Sequence, residues 1–161
     1  MIRKISGSLE RVEPTAIELA VGSIVHEVLV PDMVRSQLQA KLGSDISLYT
    51  LEYLEGNPTR GNLVPRIVGF LSEVEREFFE LFCEVDGVGV RKALRAMVRP
   101  VREIAQVFED QDVKGLTVLP GVGPAMSERI IARLRRKMAK FALLVTRDTA
   151  EAAEIEPDIV E

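Results

Sequence analysis

The chain has 161 residues, of which 47% are hydrophobic, 29% are charged and one is cysteine, and its formal net charge is −4. This composition predicts a globular protein with a core, and a single cysteine excludes both an intrachain disulfide framework and a four-cysteine metal site. The sequence has neither the run of about 20 apolar residues that a membrane helix needs nor a signal-peptide pattern, so we expect a cytoplasmic protein.

The N-terminal part of the chain, up to Phe70, has the apolar alternation and the turn residues of β-strands. The pattern predicts strands at residues 2–12, 15–21, 24–30, 46–54 and 63–70, with one helix at residues 32–42. Five short strands with a helix between the third and the fourth suit a small OB-fold barrel. Periodicity alone does not separate this barrel from other small β-barrels. We predict an OB-fold domain over residues 1–70.

Helical spacing replaces the strand pattern at Ser72, which forms a capping-box pattern with Glu75. This spacing continues to about Val145, with interruptions at Gly87–Gly89, Pro100, Gly115 and Pro120–Pro124. The fold class is therefore predicted as α+β multidomain, with an all-α domain over residues 71–147. Residues 148–161 contain six acids and no base, which predicts a flexible acidic tail. Without the tail, 21 bases stand against 19 acids, so the net charge does not exclude a nucleic-acid partner.

The helical region contains an internal repeat of two segments that align without a gap. Residues 81–89 end in Gly87-Val88-Gly89, and residues 115–123 end in Gly121-Val122-Gly123. Each copy predicts a helix, a tight turn and a second helix, which is the helix-hairpin-helix pattern. Glycine permits a positive φ and a close approach of the backbone to a ligand, and the amides of such a turn form an anion site. The repeat therefore predicts phosphate contacts that position DNA without reading its sequence.

Basic residues follow both turns. Arg91 and Lys92 come after the first, and Arg129 lies in the helix after the second, at the head of a basic stripe whose far end, Arg136 to Lys140, we interpret as solvated. The central valine of each turn would anchor its hairpin in the core. The candidate DNA-binding residues are Gly87, Val88, Gly89, Arg91, Lys92, Gly121, Val122, Gly123, Ser127 and Arg129.

A barrel followed by paired hairpins resembles the RuvA family of junction-binding subunits, over roughly residues 1–140. The resemblance rests on Met1-Ile2 with Gly7, on the Gly69-Phe70 pair, and on the two Gly-Val-Gly turns, the second as Leu119–Gly123. It implies a homotetramer that binds a four-way (Holliday) junction in recombination, DNA repair, the SOS response and branch migration. It also implies the hexameric ATPase motor RuvB and the resolvase RuvC as partners, with no catalysis, cofactor, metal or membrane.

The chain departs from the family pattern at several positions. Asp86 stands where the family usually has an uncharged polar residue, and Pro124 and Ala125 stand where lysines are usual, which predicts a weaker salt dependence of binding. Of the two adjacent acids that form the family's pin at the junction centre, Glu55 is the possible remaining one. The short, largely acidic segment after Val145 has no counterpart of the family's motor-contacting domain, so we expect either a truncated form of the protein or a divergent homologue that does not drive the motor in the usual way.

Three other interpretations stay open. An enzyme would need a lysine or carboxylate placed after a hairpin, or clustered acids for a metal, whereas Pro124–Arg129 offers no such constellation, and His26 and Cys83 fit structural positions. A protein-interaction module of the same fold that has lost junction binding would have a neutral or acidic face across the hairpins, whereas a DNA-binding protein would have a positive one. A monomer that grips ordinary duplex would differ from a junction binder in lacking the tetramer.

Overall fold

The structure is a computed structural model that describes residues 1–154, without the side chains of residues 139–140 and 142–154. Among these residues, none of the helices has the length and apolar content needed to cross a membrane. Strands occupy the first part of the described chain and helices occupy the second.

Five strands form a closed barrel in the order β1-β2-β3-β5-β4. They are β1 (Lys4–Val12), β2 (Ala16–Val21), β3 (Ile24–Leu29), β4 (Asp45–Glu55) and β5 (Val64–Phe70). All neighbours are antiparallel except β3 and β5, which run parallel. Helix α1 (Asp32–Leu38) lies between β3 and β4, so the predicted barrel and its single helix are confirmed. The helix is shorter than predicted, because the chain tightens into a 3-10 turn at Gln39–Lys41 before Gly43, whose φ is +83°.

Five helices follow the barrel: α2 (Glu73–Cys83), α3 (Val90–Ala96), α4 (Val101–Glu109), α5 (Val113–Leu116) and α6 (Pro124–Glu154). The capping box at the start of α2 is confirmed, because the hydroxyl of Ser72 accepts from the amide of Glu75 at 3.2 Å and the carboxylate of Glu75 accepts from the amide of Ser72 at 3.4 Å. Helix α6 continues past Arg147, where we placed the start of a flexible tail. The rest of that predicted tail, residues 155–161, lies outside the described residues.

The interruption predicted at Gly115 was wrong, because Gly115 lies inside α5. The chain turns instead at Gln111, a residue other than glycine, which has a φ of +50°. The amides of Gln111 and Asp112 donate to the carbonyls of Phe108 and Val107, each at 3.1 Å. These two bonds form a Schellman motif that ends α4.

The core is continuous from the barrel into the helices. The ring of Phe70, at the end of β5, lies 5.0 Å from the ring of Phe79 in α2. On the same helix, Phe78 packs against Phe82, Phe108 and Phe141, with centroid distances of 5.8, 6.3 and 5.5 Å. This aromatic packing joins α2, α4 and α6, and it holds the two hairpin turns at fixed positions relative to the barrel.

Candidate nucleic-acid interface

The two hairpins have the same backbone hydrogen bonds at equivalent positions of the repeat. In the first, the amides of Val85, Val88 and Ala93 donate to the carbonyls three or four residues earlier, at 3.3, 3.0 and 2.9 Å. In the second, the amides of Leu119, Val122 and Ser127 donate to the corresponding carbonyls, at 3.0, 3.1 and 2.9 Å. The sequence repeat is therefore also a repeat of backbone geometry, as predicted.

The first glycine of each turn has a conformation that other residues rarely adopt. The φ of Gly87 is +87° and that of Gly121 is +78°. Both glycines are exposed, and so are Gly89 and Gly123, the second glycines of the turns. A Cβ added at Gly89 or Gly123 would meet no atom within 4 Å, so the space beside these two backbones is open to a ligand.

The central valines face the opposite way from the glycines. Val88 is 4% exposed and Val122 is 5% exposed, and both belong to the core. Their side chains anchor the turns, as predicted, and they do not reach the surface. Any part that these two residues have in DNA binding is therefore indirect.

The amides of the second glycines take no part in the hairpin's own backbone hydrogen bonds. Among the described residues, no backbone carbonyl accepts from the amide of Gly89 or of Gly123. Unpaired backbone donors on an exposed turn are groups that a phosphate oxygen can satisfy. In the second hairpin these donors also lie at the N-terminus of the long helix α6, where the helix dipole favours an anion.

Each turn lies against a basic side chain from the other hairpin. A Cβ built on Gly87 would lie 3.6 Å from a terminal guanidinium nitrogen of Arg129, which comes from the second hairpin. A Cβ built on Gly121 would lie 3.8 Å from Cγ of Lys92, which comes from the first. The hairpins are therefore neighbours, and the guanidinium of Arg129 lies beside the turn of the first hairpin. The sequence places both cations on the correct helices but does not predict this exchange.

Arg91 is positioned differently from our expectation of a free phosphate contact. Its guanidinium donates two hydrogen bonds to the carboxylate of Glu55, at 2.7 and 3.1 Å. Glu55 also accepts from Arg66 at 2.7 Å, and Arg66 donates in turn to Glu27 at 2.8 Å. The hydrogen bonds from Arg91, followed by those from Arg66, lower the pKa of Glu55 to about 2. Glu55, the possible pin residue, therefore joins the barrel to the first hairpin, and both of its carboxylate oxygens accept hydrogen bonds.

Ser127, a predicted DNA contact, does not lie on the surface of the hairpin. Its side chain is fully buried, and its hydroxyl donates to the carbonyl of Gly123 at 3.0 Å. The equivalent residue in the first hairpin, Ala93, is equally buried. The position requires a small side chain at the back of the turn, and Ser127 supports the turn instead of facing a phosphate.

The face shared by the hairpins carries more positive than negative charge. Lys92 and Arg129 lie beside the turns, and Arg133 follows on the exposed side of α6. Asp86 is exposed and lines a shallow groove together with Arg129 and Arg133. Glu128, next to Arg129 in the chain, is also exposed, so three cations stand against at most two acids, and this balance favours DNA binding over the protein-interaction interpretation.

Cys83, at the end of α2, does not have the character of a nucleophile. Burial raises the pKa of the Cys83 thiol to about 12, so at neutral pH this side chain is a protonated thiol with little nucleophilic character. Within residues 1–154, the described His, Cys, Asp and Glu side chains form no group of three that could hold a metal ion.

Comparison with known proteins agrees with the geometry. Residues 79–136 match the family model for the SAM-like helix-hairpin-helix tandem. The Holliday junction branch migration complex subunit RuvA of Rhodopirellula baltica is 52% identical over 161 residues, which cover 99% of this chain and 78% of that protein. The protein of the same name from Desulfatibacillum aliphaticivorans is 35% identical, covering 88% of this chain and 68% of that protein. The one from Nitrosomonas europaea is 28% identical, covering 99% and 79%.

Proposed function

We propose that this chain, which belongs to the RuvA family, binds four-way DNA junctions without reading their sequence. The observation that carries the proposal is the paired turn. The two hairpins have the same backbone hydrogen bonds, and the glycines of each turn are exposed. A basic side chain from the other hairpin lies beside each turn. Backbone amides and cations of this kind bind phosphates and position DNA, because phosphates carry no base identity.

The arrangement of the two hairpin turns side by side suits a double-stranded arm of a junction. Arg129 lies beside Gly87 and Lys92 lies beside Gly121, so the two turns form one continuous surface rather than two separate sites. One surface with two phosphate-binding turns can engage both strands of an arm across the minor groove. Four such surfaces arranged around a centre would hold the four arms of a junction.

We infer that the chain assembles as a homotetramer through one end of the barrel. The first residues of β3 and β5 lie at this end, since the two strands run parallel as neighbours. The last residues of β4 lie there too, since Glu55 of β4 pairs with Val64 of β5. Five large apolar side chains are exposed along it, between 39% and 62% of their surface: Ile24, Val25, Leu54, Leu63 and Val64. An exposed apolar patch of this kind is typical of a protein interface.

The chain's role is that of a non-catalytic subunit in recombination and DNA repair. The relatives are named as subunits of a branch migration complex, and the family works with the ATPase motor RuvB and the resolvase RuvC. In this division of labour the chain supplies recognition of the junction, and the partners supply nucleotide hydrolysis and strand cleavage. We propose the resolvase as a partner, and a cytoplasmic location, for this chain as well; the motor stays a partner of the family.

The test compares a synthetic four-way junction with a linear duplex of equal length and composition. Affinities are measured by fluorescence anisotropy at two salt concentrations, with the full chain. The proposal expects tighter binding to the junction, weakening as salt increases. Equal affinity for both DNAs would favour a duplex-gripping monomer, and no binding to either would favour a protein-interaction module.

A further inference from the structure

A groove separates the barrel from the helix of the first hairpin. Its barrel side consists of Thr15, Val30 and Asp32, and its helix side consists of Arg91, Leu94 and Arg95. The groove has a volume of about 320 Å³, enough for a phosphate group with its water. Asp32 and Arg91 each have an ion-pair partner outside this set, Arg35 and Glu55, so the positive charge that the groove offers is that of Arg95.

The two arginines of the groove are not equivalent. Arg91 has its Nε and one terminal nitrogen engaged with Glu55. A phosphate that used these donors would have to displace a carboxylate, which is already a charge-assisted, two-bond partner. Arg91 is therefore a positioning residue, which sets the distance between the barrel and the first hairpin.

Arg95 is exposed, and no carboxylate within residues 1–154 whose side chain is described lies within 4 Å of it. Its Nε lies 3.4 Å from the carbonyl oxygen of Arg91, to which it donates. This bond folds the side chain back along α3 by one helical turn. The acid of the groove, Asp32, has its own partner, since Nε of Arg35 lies 3.7 Å from its carboxylate.

The repeat gives a second, independent reason to single out Arg95. Each hairpin has an arginine six residues after its second glycine, at Arg95 and at Arg129. Arg129 lies beside the turn of the first hairpin, whereas Arg95 lies in the groove beside the barrel. The same position of the repeat therefore supplies a cation to two different parts of one surface.

We propose that Arg95 binds a further backbone phosphate of the DNA, in the groove between the barrel and α3. This inference rests on the proposed junction binding and extends it, because the arm that occupies the hairpins then also passes the barrel. The contact adds a cation to the first hairpin, where Arg91 is engaged with Glu55.

The test uses Arg95→Gln in the full chain, with Lys41→Gln as the control. Lys41 is also an exposed cation but lies in the 3-10 turn after α1, away from the hairpin turns. Junction affinity is measured over a range of salt concentrations. We expect Arg95→Gln to weaken binding roughly threefold to tenfold at low salt and to reduce the slope of log K against log salt by about 0.9, the value for one phosphate contact. We expect Lys41→Gln to leave both quantities unchanged.

A second readout locates the phosphate. Single neutral methylphosphonate linkages are placed in turn along one arm of the junction. At the contacted position the wild type loses affinity and Arg95→Gln loses none, because its partner is already missing. If Arg95→Gln matches Lys41→Gln in slope and shows the same methylphosphonate profile as the wild type, the groove contact is wrong. Junction binding by the wild type in that experiment would leave the proposed function intact, whereas its absence would refute the function itself.

Discussion

The carboxylate of Glu55, at the end of β4, accepts two hydrogen bonds from the guanidinium of Arg91, at the start of α3, at 2.7 and 3.1 Å. The two residues are 36 positions apart in the chain, and they belong to the barrel and to the first hairpin. Arg66 approaches the same carboxylate from β5. This cluster is a polar connection between the two halves of the molecule, in addition to the apolar packing of Phe70 on Phe79.

The ion pair predicts a measurable coupling in stability. Glu55→Gln, Arg91→Gln and the double variant form a cycle, and we expect a coupling of about 1 kcal/mol in the free energy of unfolding, since both side chains are partly exposed. Denaturant unfolding measures it. Strictly additive effects of the two substitutions would contradict the pairing.

The same cluster predicts a pH dependence. The pKa of Glu55 is lowered from 4.5 to about 2, chiefly by its hydrogen bonds with Arg91. A carboxyl with a lowered folded-state pKa contributes stability that is complete above its unfolded pKa and is lost as the pH falls toward the folded value. We expect Glu55→Gln to be less stable than the wild type at pH 6, with a difference that shrinks between pH 5 and pH 2. Unfolding curves across that range test this, and a constant difference would argue against the lowered pKa.

The barrel and the hairpins could be predicted from sequence because their signals are local. Strand alternation, the capping box at Ser72 and the two Gly-Val-Gly turns each depend on residues within a few positions of one another. The buried valines of the turns follow from the same pattern. The end of α4 was missed because Gln111 adopts a left-handed conformation that glycine usually marks.

The site was only partly predictable, because its charges are arranged by tertiary contacts. The spacing that made Arg91 a phosphate contact says nothing about Glu55, which reaches it from the barrel. Likewise, no local pattern shows that Arg129 lies beside the turn of the other hairpin. Arg95 was not singled out, because its position in the groove depends on how the barrel packs against α3.

Arg129 is expected to contact phosphate from beside the first turn. Arg129→Gln removes that charge, so junction affinity falls and the slope of log K against log salt decreases by about 0.9. The loss should be similar for junctions of different sequence, because a phosphate contact is insensitive to the base. Arg135→Gln, an exposed arginine on another side of α6, is the control. Equal losses in the two variants would show only a general charge effect.

The apolar end of the barrel is expected to carry the tetramer contact. Leu54→Lys and Val64→Lys place charges in this patch, so both should shift the protein from tetramer to smaller species in sedimentation velocity. Val118→Lys changes an equally exposed apolar residue that lies in the second hairpin turn, and it should leave the mass unchanged. A wild type that sediments as a monomer would contradict the assembly, and unaffected variants would place the contact elsewhere.

The central claim is that the paired turns bind DNA through their backbone, and valine at the first glycine of each turn tests it most directly. The Gly87→Val and Gly121→Val double variant introduces side chains at two positive-φ positions of the exposed turns. Gly43→Val imposes a similar backbone cost, at a φ of +83°, beside the barrel and away from the hairpins. Junction affinity is measured by anisotropy, together with thermal unfolding to compare the stability of the variants.

We predict that the double variant loses at least about tenfold in junction affinity for each turn, the effect of losing a charge-assisted hydrogen bond. Gly43→Val, which introduces one such position away from the hairpins, should bind the junction like the wild type. Junction binding by a folded double variant at wild-type affinity would contradict the account, because the hairpin turns would then not be the DNA-binding elements.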